Sequence, residues 1–200
     1  MQNKQLLREW YSVDASPEII KESREKNGGK LVLNGIIQRA NTKNQNKRVY
    51  PRNILRREVD RYQKAVQESR ALGEADHPES STVSLKNVSH VIREIRWDGD
   101  DVYGRVEILP TPCGKIVEAL VDSGIRIGIS SRGVGSTEKT NEGYDEVQDD
   151  YQLIAFDLVT EPSTPGAYLS EGISLESRVD SRAARIDEAI ASVLSVWSRR

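Results

Sequence analysis

The sequence predicts an α+β fold, a β-rich body carrying few helices. Runs rich in Val, Ile and Leu recur at 31–39, 88–97, 102–109, 126–136 and 151–167. Two of them meet across a tight Asp-Gly turn, which favours a hairpin. Only two internal stretches change to the three- and four-residue step of a helix.

Taken in order, residues 1–29 are polar and run into KNGGK (26–30), and they read as a loose N-terminal arm. LVLNGIIQR (31–39) is β-branched and reads as a strand, followed by a polar loop up to Pro51. From Asn53, a plausible N-cap, the apolar residues Ile54, Leu55, Val59, Tyr62 and Val66 fall on one helical face. ALGEADHPESSTVS (71–84) is a loop punctuated by Gly73 and Pro78. VSHVIREIRW (88–97) and VYGRVEIL (102–109) are the hairpin strands around DGDD (98–101), and DGDD lacks the rest of a calcium loop. KIVEALVDSG (115–124) is a short helix closed by Gly124. RIGISSRGVGS (126–136) begins as a strand and ends in a glycine-rich turn, and a polar excursion follows at 137–150. YQLIAFDLVTEPSTPGA (151–167) is strand-like until Pro162 and Pro165 stop it. Beyond a polar linker, Ile186, Ala189, Ile190, Val193, Leu194 and Trp197 predict an amphipathic tail helix.

Composition narrows the function classes. Among 200 residues, 29 Lys and Arg balance 31 Asp and Glu for a net charge of −2. No global field steers a nucleic acid, and clustered basic charge with aromatic platforms is absent. No apolar run approaches the roughly 20 residues of a membrane span, so a soluble intracellular protein is expected. The single cysteine, Cys113, forms no intramolecular disulfide and lies in the Pro/Gly-rich LPTPCG without a nearby His, a poor setting for a catalytic thiolate. No His/Cys cluster has metal-ligand spacing, and neither metal nor cofactor is expected.

Two histidines narrow the search for a general base. His90 reads as a structural strand residue. His77 lies in the loop Glu74-Ala75-Asp76-His77-Pro78, where Pro78 restricts the backbone. Ser130, in GISSRGVGS, is a hydroxyl entering a glycine-rich turn, which can aim the N–H groups of Ser131, Arg132 and Gly133 at one point, as an oxyanion hole needs. Asp157 is a carboxylate inside an apolar strand and wants a partner, which a histidine N–H supplies. Glu74 and Asp76 are rivals for that role, and Ser131 is a rival for Ser130.

Six motifs then occur in order: N-K-R-V-Y-P (46–51), L-G-E-x-x-H-P (72–78), D-V-Y-G-R (101–105), I-S-S-R-G-V-G-S (129–136), T-N-E-G-Y (140–144) and D-x-V-x-x-P-S-x-P-x-A (157–167). Together they resemble the prohead core proteases of T-even-type tailed bacteriophages over roughly residues 30–168. That resemblance implies distant similarity to the herpesvirus maturation proteases, and hence a small antiparallel β-barrel surrounded by helices. It divides the chain into an arm (1–29), a protease domain (30–168) and a removable tail (169–200). It implies a serine endopeptidase, made as a zymogen inside the prohead, that cuts scaffold core proteins, the major capsid protein and itself. Self-association into a homo-oligomer is allowed. The resemblance matches His77 to the family histidine and Ser130 to its nucleophile, with Asp157 on the strand of the third member. It also implies cleavage after Glu in apolar-x-Glu patterns. Glu171 and Glu188 in the tail fit that pattern; Glu118 fits too but falls within a predicted helix. Arg126, Arg132, Arg39 and Arg48 are candidates for a basic substrate pocket. The reading from another class is a non-catalytic capsid-assembly or scaffold-binding module.

Overall fold

The computed structural model describes residues 4–13, 17–78, 80–160 and 168–170. In chain order the elements are β1 (Gln5–Val13), α1 (Pro17–Lys26), β2 (Val32–Arg39), β3 (Arg48–Val49), α2 (Arg52–Gln67), β4 (Leu72–Glu74), β5 (Val88–Asp98) and β6 (Asp101–Ile108). They continue with α3 (Pro112–Asp122), β7 (Ile127–Gly135), β8 (Thr137–Lys139), β9 (Asp145–Val147), β10 (Gln152–Val159) and β11 (Tyr168–Ser170). Eight strands form one sheet in the order β10-β7-β1-β11-β2-β6-β5-β4, and β3-β9-β8 form a second. Pairing is antiparallel except between β1 and β11 and between β3 and β9. The α+β class is therefore as predicted. The two ends of the large sheet meet at one parallel bridge, Ala75↔Leu158, where the Asp76 N–H donates to the Leu158 carbonyl at 2.7 Å.

The predicted hairpin is β5–β6, turning at Gly99 with φ 58°. In α2 the face predicted from periodicity, Ile54, Leu55, Val59, Tyr62 and Val66, is buried. The helix starts at Arg52 with Pro51 as cap, so Asn53 lies inside the first turn and does not cap it. Glu58 shares the buried face, because its Oε2 accepts the Leu153 N–H at 3.0 Å and ties α2 to β10. The Tyr62 ring meets Phe156 edge-on at 5.4 Å, which aligns the same two elements.

Several expectations are corrected. The described part of residues 1–29 is not a loose arm: β1 pairs with β7 at nine consecutive positions, from Gln5↔Gly135 to Val13↔Ile127. Tertiary partners make that polar strand tolerable. Glu9 is fully buried, yet it accepts hydrogen bonds from Asn46 at 2.8 Å, from Arg48 and Tyr50 at 3.0 Å each, and from Asn44. Burial pushes the Glu9 carboxyl pKa up, against the opposing pull of Arg48 and these hydrogen bonds. Asn46 also donates to the Arg8 carbonyl at 2.9 Å, so the N-K-R-V-Y-P segment is a clasp on β1. LPTPCG leads into α3: Thr111 caps the helix by accepting the Gly114 N–H at 3.0 Å, and Pro112 occupies a first-turn position whose N–H would have no helical partner. The polar stretch 137–150 contains the β8–β9 pair. Leu169 and Ser170, assigned to the tail, pair with Gly35 and Asn34 of β2. The amphipathic tail helix, Glu171 and Glu188 lie outside the described residues.

Candidate active site

Ser130 sits in the middle of β7, between β1 and β10, opposite Asp157 on β10. Directly paired residues project to one face of a sheet, so Asp157, Ser130 and Arg132 share that face while Ser131 takes the other. The loop after β4 brings in His77. Its Nε2 lies 2.6 Å from Ser130 Oγ, and its Nδ1 lies 3.4 Å from Asp157 Oδ2. Asp76, the residue before the histidine, adopts φ 68° and accepts the His77 N–H at 2.8 Å, which fixes the loop's turn.

Asp157 has no exposed surface. Burial alone would raise its carboxyl pKa, but hydrogen bonds from His77, Arg132 and the Glu74 amide, with the Arg132 charge, hold it below the usual carboxylate value. Arg132 Nε donates to Oδ2 at 2.7 Å and Nη2 to Oδ1 at 3.1 Å, a two-pronged pairing. The Glu74 N–H donates to Oδ1 at 3.1 Å.

Arg132 is the hub behind this face, and it too is fully buried. Besides Asp157 it donates to Glu74 Oε1 at 3.0 Å and to the carbonyls of Ser80 and Thr82 at 2.5 and 3.3 Å. It thereby anchors the segment that follows His77. Arg132→Met would leave Asp157 and Glu74 buried without their cation. A loss of about 3–5 kcal/mol in unfolding free energy is expected in urea denaturation, and a loss below 1 kcal/mol would refute this account of the hub.

The glycines around this site serve close packing. Gly133 and Gly135 lie within β7, not in a turn, because Tyr151 crosses them: a Cβ on Gly133 would meet its Cε2 at 2.4 Å, and one on Gly135 its Cα at 2.8 Å. A Cβ on Gly73 would meet the Phe156 carbonyl at 2.0 Å and His90 Nε2 at 2.2 Å, so glycine is what lets β4 approach β10. His90 is fully buried, with Nε2 3.0 Å from the Phe156 carbonyl and Nδ1 2.9 Å from Ser89 Oγ. Burial pushes its pKa down to about 4, so it is a neutral structural residue, as its strand position suggested.

The structure thus brings His77, Ser130 and Asp157 together and separates the rivals. Glu74 is engaged by Arg132 and by the Ser84 N–H at 2.9 Å, and Asp76 caps its own loop. The Ser131 hydroxyl is on the opposite face, accepting from Gln38 Nε2 at 2.7 Å. The expected oxyanion turn is absent. Ser131, Arg132 and Gly133 sit in the ladder with β1 and β10, so their backbone groups face neighbouring strands, and the Arg132 guanidinium is committed to carboxylates and carbonyls. Of the arginines considered for a basic pocket, Arg39 pairs with Asp101, Arg48 with Glu9 and Arg132 with Asp157, while Arg126 is exposed before β7. Glu118 is within α3. Cys113 Sγ lies 3.7 Å from the Lys86 carbonyl. Among the described residues no group of three or more His, Cys, Asp or Glu could hold a metal ion, and no helix is long and apolar enough to cross a membrane. Sequence reading missed Arg8 of β1, whose Nη2 donates to the Pro78 carbonyl at 3.1 Å; only the strand register reveals that it faces this site.

A Ser-His-Asp cluster is an arrangement that hydrolases on several unrelated folds use. Residues 12–179 match the family described as prohead core protein serine protease, and the chain belongs to that family. It is 33% identical over 173 residues to the prohead core protein protease of Enterobacteria phage T4, covering 84% of this chain and 82% of the relative. Its structure matches that of the bacteriophage T4 capsid assembly protease, gp21, with a TM-score of 0.69 and 32% identity, covering 80% of this chain and 99% of the other. Membership makes this chain a protease of the prohead core type.

Proposed function

We propose that this protease is a serine endopeptidase with Ser130 as nucleophile, His77 as general base and Asp157 as the group that orients His77. The observation that carries the reading is the His77 ring with one nitrogen 2.6 Å from Ser130 Oγ and the other 3.4 Å from an Asp157 carboxylate oxygen. An ionised Asp157 keeps the proton on Nδ1 and leaves Nε2 free to take the Ser130 hydroxyl proton as Oγ attacks the peptide carbonyl. The imidazolium then gives that proton to the leaving amine. Water, deprotonated by the same nitrogen, releases the acyl group. Ser130 is fully buried and the His77 side chain is 7% exposed, so the hydroxyl must be uncovered before a peptide reaches it. The test is a fluorophosphonate probe on active protein followed by peptide mapping. Label on Ser130 is expected, and label on Ser131 would reassign the nucleophile.

Its proposed substrates are the scaffold core proteins and the major capsid protein within the prohead, cut after Glu in apolar-x-Glu segments. The meeting of the sheet's ends at Ala75↔Leu158 favours the barrel expected for this family. Self-processing after Glu171 or Glu188 would remove the tail. Intact-mass measurement of active protein is expected to find one of those C-termini, and active enzyme still ending at Arg200 would exclude it.

A further inference from the structure

We propose that Arg8 reads an acidic side chain of the substrate beside the scissile bond, which makes it a specificity-determining residue of this protease. The inference rests on Ser130 and His77 being the proteolytic pair. Arg8 lies directly opposite Arg132 in the β1–β7 ladder, so it shares the face that carries Ser130, two residues from Arg132. Diagonal neighbours of this kind are about 7–8 Å apart, within reach of a long side chain. The hydrogen bond from Nη2 to the carbonyl of Pro78 fixes the guanidinium at the residue after His77.

Arg8 differs from the other arginines of this region in its charge balance. Arg132 holds Asp157 and Glu74, Arg48 holds Glu9, and Arg39 holds Asp101. Among the described residues no carboxylate pairs with Arg8, and its Nε is buried without a hydrogen-bond partner. The two carboxylates on its own face are already engaged by Arg132. A desolvated guanidinium N–H left open costs free energy until an acceptor arrives, and the planar fork fits a carboxylate better than any neutral group. Arg8 is half-buried where Ser130 is fully covered, so part of its side chain is open to solvent.

The experiment compares hydrolysis of paired peptides differing only by Glu or Gln before the scissile bond, in wild type, Arg8→Gln and Arg8→Lys. Wild type should prefer Glu by roughly 10–100-fold in kcat/KM, the range of a charge-assisted hydrogen bond. Arg8→Gln should lose that preference mainly through KM, and Arg8→Lys should keep part of it. Fluorophosphonate labelling of Ser130 should proceed equally in all three, showing that the reacting groups are intact. Equal use of Glu and Gln peptides by wild type, or an undiminished Glu preference in Arg8→Gln with labelling intact, overturns the role of Arg8. Failure of wild type to label at Ser130 would instead overturn the nucleophile assignment.

Discussion

Ser130→Ala is expected to lower peptide hydrolysis by about 10⁶-fold while leaving the protein folded. The size of the loss follows from the way the cluster acts as a unit. Without Oγ, His77 Nε2 loses the group 2.6 Å away from which it takes a proton, and Asp157 then orients a base with nothing to activate. The hydroxyl adds little to stability, since its other contact is a long 3.5 Å approach to the Ser131 carbonyl. Single-turnover assays on a scaffold-derived peptide, with circular dichroism as the folding control, measure both halves. Processing within tenfold of wild type would remove Ser130 from the chemistry and leave an assembly role without catalysis as the better account of this face.

Asp157→Asn should reduce kcat by about 10⁴-fold with KM nearly unchanged. Asparagine keeps the shape but removes the charge that favours an imidazolium. Its Oδ1 is drawn to Arg132, which lies 2.7 and 3.1 Å from the two carboxylate oxygens, and its NH₂ is then left to face His77 Nδ1. A donor at that point makes Nδ1 the acceptor, so the ring proton moves to Nε2 and blocks acceptance from Ser130. Arg132 retains Glu74, so the fold should survive. A fall of less than tenfold in kcat would show that Asp157 serves Arg132 alone.

The legible parts of this fold were those whose pattern is local. The β5–β6 hairpin and the buried face of α2 follow from alternation, a turn dipeptide and a helical step contained in one stretch of chain. Asp157 was legible for a related reason: a carboxylate between Phe156 and Leu158 needs a partner wherever it lies. β1 was not legible, because Arg8 and Glu9 put a charge on each face, and their partners come from residues 44–50 and from Pro78. β3 and β4, of two and three residues, are too short to show a period. Gly133 and Gly135 read as turn formers because nothing near them in sequence announces the Tyr151 ring laid across them. The hub role of Arg132 depends on carboxylates from two other strands and was hidden for the same reason.

The seating of the first strand beside β7 has a consequence for timing. The ladder partners of residues 5–13, residues 127–135, are made more than a hundred residues after them, and Asp157 later still. The sheet that sets Ser130, Asp157 and His77 in register therefore forms only through closures, one of which spans more than a hundred residues. A chain that lacks β7 or β10 cannot set Ser130 and Asp157 beside His77, so the proposed proteolysis is tied by connectivity to a chain in which all three segments have been made.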